Sequence, residues 1–337
     1  MNPRVALVGA TGAVGQELLA VLQQRRFPLR ELICLASARS AGRAVRFAGR
    51  ELPVRELSET SFRDVDIALF SAGGAVSRRF APAAAEHGTV VIDNSSAFRM
   101  DPAVPLVIPE VNPQDAAAHR GIIANPNCST ILLLVVLWPL HRANPVRRVV
   151  VSTYQAASGA GRQAMLELES QTRDLLAGRP AVPRVLPHQA AFNVFSHNSR
   201  IDETGYNEEE RKMHHETRKI LHDQRIAVSA TCVRVPVLRA HTESATITCE
   251  RPMSAEQARQ MLADAPGVRV VDDRETNRFP MPVEATSIDE VLVGRIRQDF
   301  SQPDGCGVSL LLCGDQLRKG AALNAVQIAE LLVRRCE

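Results

Sequence analysis

Short apolar runs alternate with segments of helix length through the first half of the chain: VALVG (5–9), LICLAS (32–37), DIALFSAGG (66–74), VVIDNSS (90–96) and GIIANPNC (121–128). Runs with so few polar interruptions suit strands covered on both faces, and strand–helix–strand succession joins parallel strands by right-handed crossovers. The pattern predicts a doubly wound sheet. From about residue 146 the rhythm changes. VRRVVVSTYQ, IAVSATCVRVPV, TESATITCE, VRVVDD, EVLVGRIRQD and GVSLLLCG are β-rich and often alternate in polarity, as a largely antiparallel mixed sheet with one covered face requires. The last segment, RKGAALNAVQIAELLVRR, has apolar residues at helical spacing (Ala322, Val326, Ala329, Leu332, Val333) and is expected to pack back on the first domain. The expected division is 1–127 with a C-terminal helix 318–337, and 128–317 as a second, α+β domain. The proline-bearing stretch 178–189, GRPAVPRVLPHQ, is expected to be a surface loop or arm.

Composition narrows the function more than the fold. With 337 residues, 45% of them hydrophobic, the chain can bury two cores. The longest apolar run, 131–140, is about half of the ~20 residues a membrane span needs. No signal pattern opens the chain, so a cytoplasmic location and no membrane partner are expected. Forty basic residues stand against 37 acidic ones, and the paired arginines are dispersed, which gives no case for nucleic acid. The seven cysteines form no C-x-x-C pair and no Cys/His spacing suited to zinc, so reduced thiols and no metal are expected. Only three basic residues are lysines (Lys212, Lys219, Lys319), so a lysine in a site would stand out.

Two stretches carry chemistry. GATGAVG places Gly9, Gly12 and Gly15 directly after the first strand and at the start of a helix, where the backbone can approach a pyrophosphate whose charge faces the helix amides. This predicts a Rossmann-like dinucleotide-binding domain, although the same glycines would also serve a tight turn without a ligand. At the end of the second strand, where an NAD protein usually has an acidic residue, the sequence has Arg39 and Ser40; these suit a 2′-phosphate, and NADP is the expected cofactor. NPNCST (125–130) then sets Cys128 at a helix start ahead of the apolar run. A thiol at a helix N-terminus is favoured as thiolate, whereas a cysteine packed against that run would be inert. Arg234 and His241, in RVPVLRAHTES, lie seven residues apart at a strand end and its following turn and could flank one pocket.

GATGAVG, SARSAG, SSAFRM, NPNCST, TYQAASGAGR, NEEERKM, RVPVLRAHTES and DQLRKGAALNAVQIAE, taken in order from end to end, resemble the aspartate-β-semialdehyde dehydrogenase family. FNVFSHNSRID is similar to one branch of it. The resemblance implies NADPH-dependent reductive dephosphorylation of L-aspartyl 4-phosphate to the 4-semialdehyde, in the pathways to lysine, diaminopimelate, threonine and methionine. It implies that Cys128 is the nucleophile, His241 the general acid/base and Gln155 the residue orienting the substrate. Arg234 would clamp the α-carboxylate, Glu209 would face the amino group, and Arg99 and Lys212 would hold the phosphate. Thr11, Gly12, Ala13, Val14, Arg39, Ser40, Ser158, Gly159 and Gln316 fall at cofactor-contacting positions. A homodimer or homotetramer is implied. Independently, an acyl phosphate needs a nucleophile, cations for the departing phosphate and donors to the forming oxyanion, for which Asn127 and the amides around Cys128 are candidates.

Three points stay open in the sequence. The acidic trio 208–210 leaves Glu209 uncertain by one residue. N-acetyl-γ-glutamyl-phosphate reductase is similar in fold and chemistry, but its cysteine box usually continues with tyrosine and proline, where Ser129 and Thr130 stand here. A non-catalytic binding or assembly relative is expected to lack the nucleophile that this chain retains.

Overall fold

The computed structural model describes residues 2–302 and 304–334. The chain divides into two compact units, the residues up to Asn127 with those from Ala321 onward, and Cys128–Gly320. The end of the expected helix, 335–337, lies outside the described residues.

In the first unit β1 (Arg4–Val8), β2 (Glu31–Ala36), β3 (Ala44–Phe47), β4 (Arg50–Glu56), β5 (Ile67–Phe70), β6 (Val90–Asp93) and β7 (Ile122–Ala124) form one sheet in the order β3-β4-β2-β1-β5-β6-β7. All neighbours run parallel except β3 and β4. The apolar runs of β1, β2 and β5 are buried almost throughout because both faces are covered. Helix α1 (Ala13–Gln24) and the C-terminal helix Leu323–Arg334 share one core through Leu18, Leu22, Val326 and Ala329. Arg25 clamps Glu330 through two hydrogen bonds of 2.7 Å. Helix α2 (Gly74–Glu86) covers the opposite face through Phe80, Ala81 and Ala84.

In the second unit β8 (Val146–Gln155), β9 (Phe195–Ser196), β10 (Ala227–Arg234), β11 (His241–Cys249), β12 (Val268–Val270), β13 (Val291–Gln298) and β14 (Gly307–Gly314) make a mixed sheet in the order β12-β13-β14-β11-β8-β10-β9. The β8/β10 and β12/β13 pairs are parallel and the others antiparallel. Strict alternation in β11 buries every second residue from His241 to Cys249 on one face. Helices α3 (Cys128–Ala143), α5 (Glu208–Leu221) and α6 (Ala255–Ala263) pack with this sheet. Buried without a break from Ser129 to Leu137, α3 is the core helix its all-round apolar run implies. It approaches the sheet so closely that a Cβ on Gly314 would lie 2.5 Å from Leu132.

Helix α4 (Arg162–Leu176) holds the proline-bearing arm: Glu167 accepts from the amides of Arg184, Val185 and Leu186, and Gln171 from those of Ala190 and Ala191. The short helix α7 (Pro282–Ala285) precedes β13. Arg318–Ala322 forms a π-type turn before the C-terminal helix. Residues 318–320 therefore group with the second unit, not with the first as expected, because Gly320 packs against Cys128.

Candidate active site

The glycine turn leaves β1 at Gly9, whose φ of 90° is left-handed and whose Cα abuts the backbone of Ser71 beyond β5; a Cβ there would lie 2.3 Å from the Ser71 oxygen. Gly15 is equally constrained, its Cβ position lying 2.2 Å from the Gly9 oxygen. The turn is drawn in at the β1/β5 switch point, where open α/β sheets bind ligands. Gly12 is the N-cap and has no side chain to cover the amides of Ala13 and Val14. A phosphate suits that helix end, with Thr11 in the same turn. Arg39 is exposed and Ser40 buried in the turn Ala38–Ser40 that follows β2. The first unit thus fits a phosphorylated dinucleotide.

Also in the first unit, buried Arg99 donates from Nε to the Asn125 oxygen at 2.9 Å and from Nη2 to the Asn94 oxygen at 2.8 Å. Asn324 of the C-terminal helix donates to Val107 O and Asn125 Oδ1 at 3.0 and 2.7 Å. These contacts fix the backbone leading to Asn127, itself buried.

Cys128 is the first residue of α3, and among the six described cysteines it alone is half-buried. Burial raises the thiols of the others, to about 11 for Cys34 and Cys249 and about 12 for Cys313. The reachable sulfur sits at the helix end that favours a thiolate. Gly320 lies against it, at 2.9 Å from Cys128 Cβ were Gly320 given a Cβ.

The remaining groups end three neighbouring strands. Gln155 closes β8, Arg234 closes β10 beside it, and His241 opens β11. Gln155 Nε2 donates to Ser129 Oγ at 2.7 Å and to Glu209 Oε1 at 3.1 Å, which orients its amide, since the carboxylate can only accept. Glu209 is buried and takes Lys212 Nζ on its other oxygen at 3.1 Å. Of the acidic trio, Glu209 is the one turned inward: Glu208 is exposed, and Glu210 is engaged in the Asn207 capping box and with the Cys232 amide.

The Ala156 amide donates to His241 Nδ1 at 3.1 Å, so the neutral imidazole carries its proton on Nε2. That Nε2 is buried and has no hydrogen-bond partner among the described residues. Burial, reinforced by Arg234, holds the His241 pKa down at about 3. Arg234 donates from Nη1 to Ala156 O at 2.6 Å and shares Nη2 with His197 Nε2 and Asn198 Oδ1, both at 3.1 Å. Burial lowers the Arg234 pKa, opposed by the charges of Glu209 and Cys128. Gly159 closes the wall: a Cβ there would lie 3.2 Å from His241 Nε2 and 3.3 Å from Arg234 Nη1. Gln316 donates to the neighbouring Ser158 Oγ and accepts from the Ala240 amide at 3.0 Å.

The second unit therefore brings Cys128, Gln155, Ser158, Gly159, Glu209, Lys212, Arg234, His241 and Gln316 into one linked set. His197 and Asn198 had no assigned role in the sequence, although FNVFSHNSRID had been singled out. Burial holds His197 down at about 4, so it meets Arg234 as a neutral ring. No group of three or more His, Cys, Asp or Glu among the described residues could hold a metal, and no described helix is long and apolar enough to cross a membrane.

Known proteins resemble the whole chain. Residues 4–119 match the family profile "Semialdehyde dehydrogenase, NAD binding domain", and residues 137–319 match "Semialdehyde dehydrogenase, dimerisation domain". An aspartate-semialdehyde dehydrogenase of Synechocystis is 56% identical over 98% of each chain. One from Aquifex aeolicus is 53% identical over 99% of each. Among solved structures, aspartate semialdehyde dehydrogenase II of Vibrio cholerae complexed with ASA is similar, with TM-score 0.96, 48% identity and 99% of each chain covered.

Proposed function

The chain belongs to the aspartate-semialdehyde dehydrogenase family, and from that premise we propose a reaction carried by Cys128. The protein is an NADP-dependent oxidoreductase of amino-acid biosynthesis that converts L-aspartyl 4-phosphate, NADPH and a proton to aspartate 4-semialdehyde, NADP and inorganic phosphate. The reading is supported above all by the half-buried thiol at the head of α3, joined through Ser129 to Gln155 and accompanied by the converging Nε2 of His241 and Nη1 of Arg234.

Cys128 attacks the acyl carbon as thiolate, the C–O bond to phosphate breaks, and a thioester forms on the sulfur. Thr11 to Val14, Arg39 and Ser40, with Ser158, Gly159 and Gln316, would hold the cofactor, which when bound would supply the hydride that reduces the thioester. The Nε2–H of His241 donates to the oxygen that gains charge at the hemithioacetal, and Asn127 adds a donor to the oxyanion before it. Collapse of the hemithioacetal frees the aldehyde and restores the thiolate. Arg234 receives the α-carboxylate on its fork, Glu209 faces the amino group, and Gln155 orients the chain between them. Arg99 and Lys212 are the cations for phosphate.

The unit named for dimerisation is proposed to pair two copies as a homodimer. In support, the sheet face opposite His241 carries Tyr154, and the arm region carries Phe192, Val194 and Ile201, all exposed. A cytoplasmic location fits this biosynthetic role. The testing experiment is NADP reduction by aspartate semialdehyde with and without inorganic phosphate, in the wild type and in Cys128→Ala. Phosphate-dependent reduction lost in the variant supports the reading, and unchanged reduction overturns it.

A further inference from the structure

Arg234 ends β10 and is only 2% exposed. A guanidinium taken this far out of water ordinarily sits against a carboxylate. Here the three acceptors that hold it are all neutral: Ala156 O on Nη1 at 2.6 Å, and His197 Nε2 and Asn198 Oδ1 on Nη2, both at 3.1 Å. Its Nε is buried and has no hydrogen-bond partner among the described residues. The charge of Glu209 favours the cation, but the two Glu209 oxygens are engaged by Gln155 Nε2 and Lys212 Nζ, both at 3.1 Å.

The sheet edge brings the two neutral side chains to this place. Strand β9 pairs with the end of β10, Phe195 opposite Arg234, and the His197 amide continues the ladder by donating to Cys232 O at 2.8 Å. A guanidinium can only donate, so His197 Nε2 accepts and the ring proton sits on Nδ1. Of the two Ser199 groups near Nδ1, the hydroxyl oxygen at 3.0 Å can accept that proton, while the amide, a donor, stands off at 3.3 Å. The same oxygen accepts from the Glu209 amide at 3.3 Å. One turn thus reaches both the Arg234 guanidinium and the backbone of Glu209. Burial holds His197 down at about 4, which keeps the ring an acceptor rather than a second cation.

We propose that His197 and Asn198 are positioning residues for the reaction, a neutral cradle that sets Arg234 for the α-carboxylate of the substrate while leaving its charge to the incoming anion. An acid in the cradle would orient the guanidinium equally well, but it would compete with the substrate for the same charge. The proposal rests on the clamping role given to Arg234.

The test uses His197→Leu, His197→Gln, Asn198→Ala, Asn198→Asp, Arg234→Ala and the His197→Leu/Arg234→Ala pair in the full chain. It measures kcat, the KM for aspartate semialdehyde and for NADP, and Tm. His197→Leu is expected to raise the KM for aspartate semialdehyde by about 10- to 100-fold, the scale of a hydrogen bond lost from a charged group, with the NADP KM unchanged. His197→Gln, whose amide oxygen can stand in for Nε2, restores that KM to within about 3-fold of wild type. Asn198 is exposed, so its variants leave the core intact. Asn198→Asp keeps the acceptor and adds a charge, so it is expected to raise the same KM with Tm equal or higher, the opposite of what a purely structural contact would give. The pair loses no more in kcat/KM than Arg234→Ala alone, because the effect of His197 runs through Arg234. A wild-type KM for aspartate semialdehyde in His197→Leu, no restoration in His197→Gln, a wild-type or lower KM in Asn198→Asp, or losses that multiply in the pair, overturns the proposal. Should His197→Leu not fold, a wild-type KM in Asn198→Ala overturns it instead. A raised KM in Arg234→Ala beside wild-type values in His197→Leu and Asn198→Ala defeats this inference alone, whereas a wild-type KM in Arg234→Ala defeats the clamping role and this inference with it.

Discussion

Gly159→Ala probes the packing of the reacting groups with a single methyl. Gly159 does not have a left-handed φ, so the backbone accepts alanine without strain. The added carbon would lie 3.2 Å from both Cε1 and Nε2 of His241 and 3.3 Å from Nη1 of Arg234. Ordinary contacts are about 3.5–4.0 Å, so the neighbours must retreat by a few tenths of an ångström. Neither retreats freely. His241 is tied through Nδ1 to the Ala156 amide at 3.1 Å, and Arg234 Nη1 is tied to the Ala156 carbonyl at 2.6 Å. Overpacking of this size costs about 1 kcal/mol of stability, which for domains of this size lowers Tm by about 2–4 °C. A misplacement of about 1 Å costs around 100-fold in rate, so a few tenths at two groups together is expected to lower kcat by about 10-fold. Steady-state reduction of NADP by aspartate semialdehyde and phosphate, with thermal melts in parallel, measures both effects. A wild-type kcat with a wild-type Tm would refute the close packing of His241 and Arg234 around residue 159.

Other perturbations separate the remaining roles. Arg39→Asp should weaken NADP more than NAD, because it places a carboxylate beside the 2′-phosphate; equal losses in the two KM values would remove Arg39 from the cofactor. His241→Ala should lower kcat by about 10²- to 10⁴-fold, the range of a general acid/base, and a change confined to KM would assign the ring to binding. The neutral rings of half-buried His197 and buried His241, held at about 4 and about 3, make the fold acid-sensitive. As pH falls below about 6.5 the unfolded chain takes up protons that the folded rings refuse, so stability present above that pH is lost towards pH 4, by up to about 1.4 kcal/mol per pH unit for each ring. Urea midpoints at pH 7 and pH 5 should therefore differ less in His197→Asn than in the wild type, and an equal difference would contradict the neutral state of His197.

Much of this was legible in the sequence because it was written in local pattern. The glycine turn, the start of α3 at Cys128 and the strand ends at Gln155 and Arg234 each follow from a few adjacent residues. The β3/β4 hairpin did not stand out. Its strands are exposed along most of their length, so no strong apolar alternation marks them. The partners of Arg234, His197 and Asn198, come from an extended segment 36 or 37 positions away, where spacing carries no signal. The register of Glu209 needed the capping box, which commits Glu210 to Asn207 and turns Glu209 inward. Glu243 looked like one polar position in an alternating strand. Only the paired register of β8 and β11 reveals that this alternation points an acid into the core.

The account rests on acyl transfer to one sulfur, and that transfer can be caught directly. The protein is mixed with L-aspartyl 4-phosphate in the absence of NADPH, quenched in acid and digested, and its peptides are weighed. An aspartyl adduct on the Cys128 peptide, absent in Cys128→Ala, is the predicted result. An adduct on another residue, or turnover by a protein that never carries one, would contradict it.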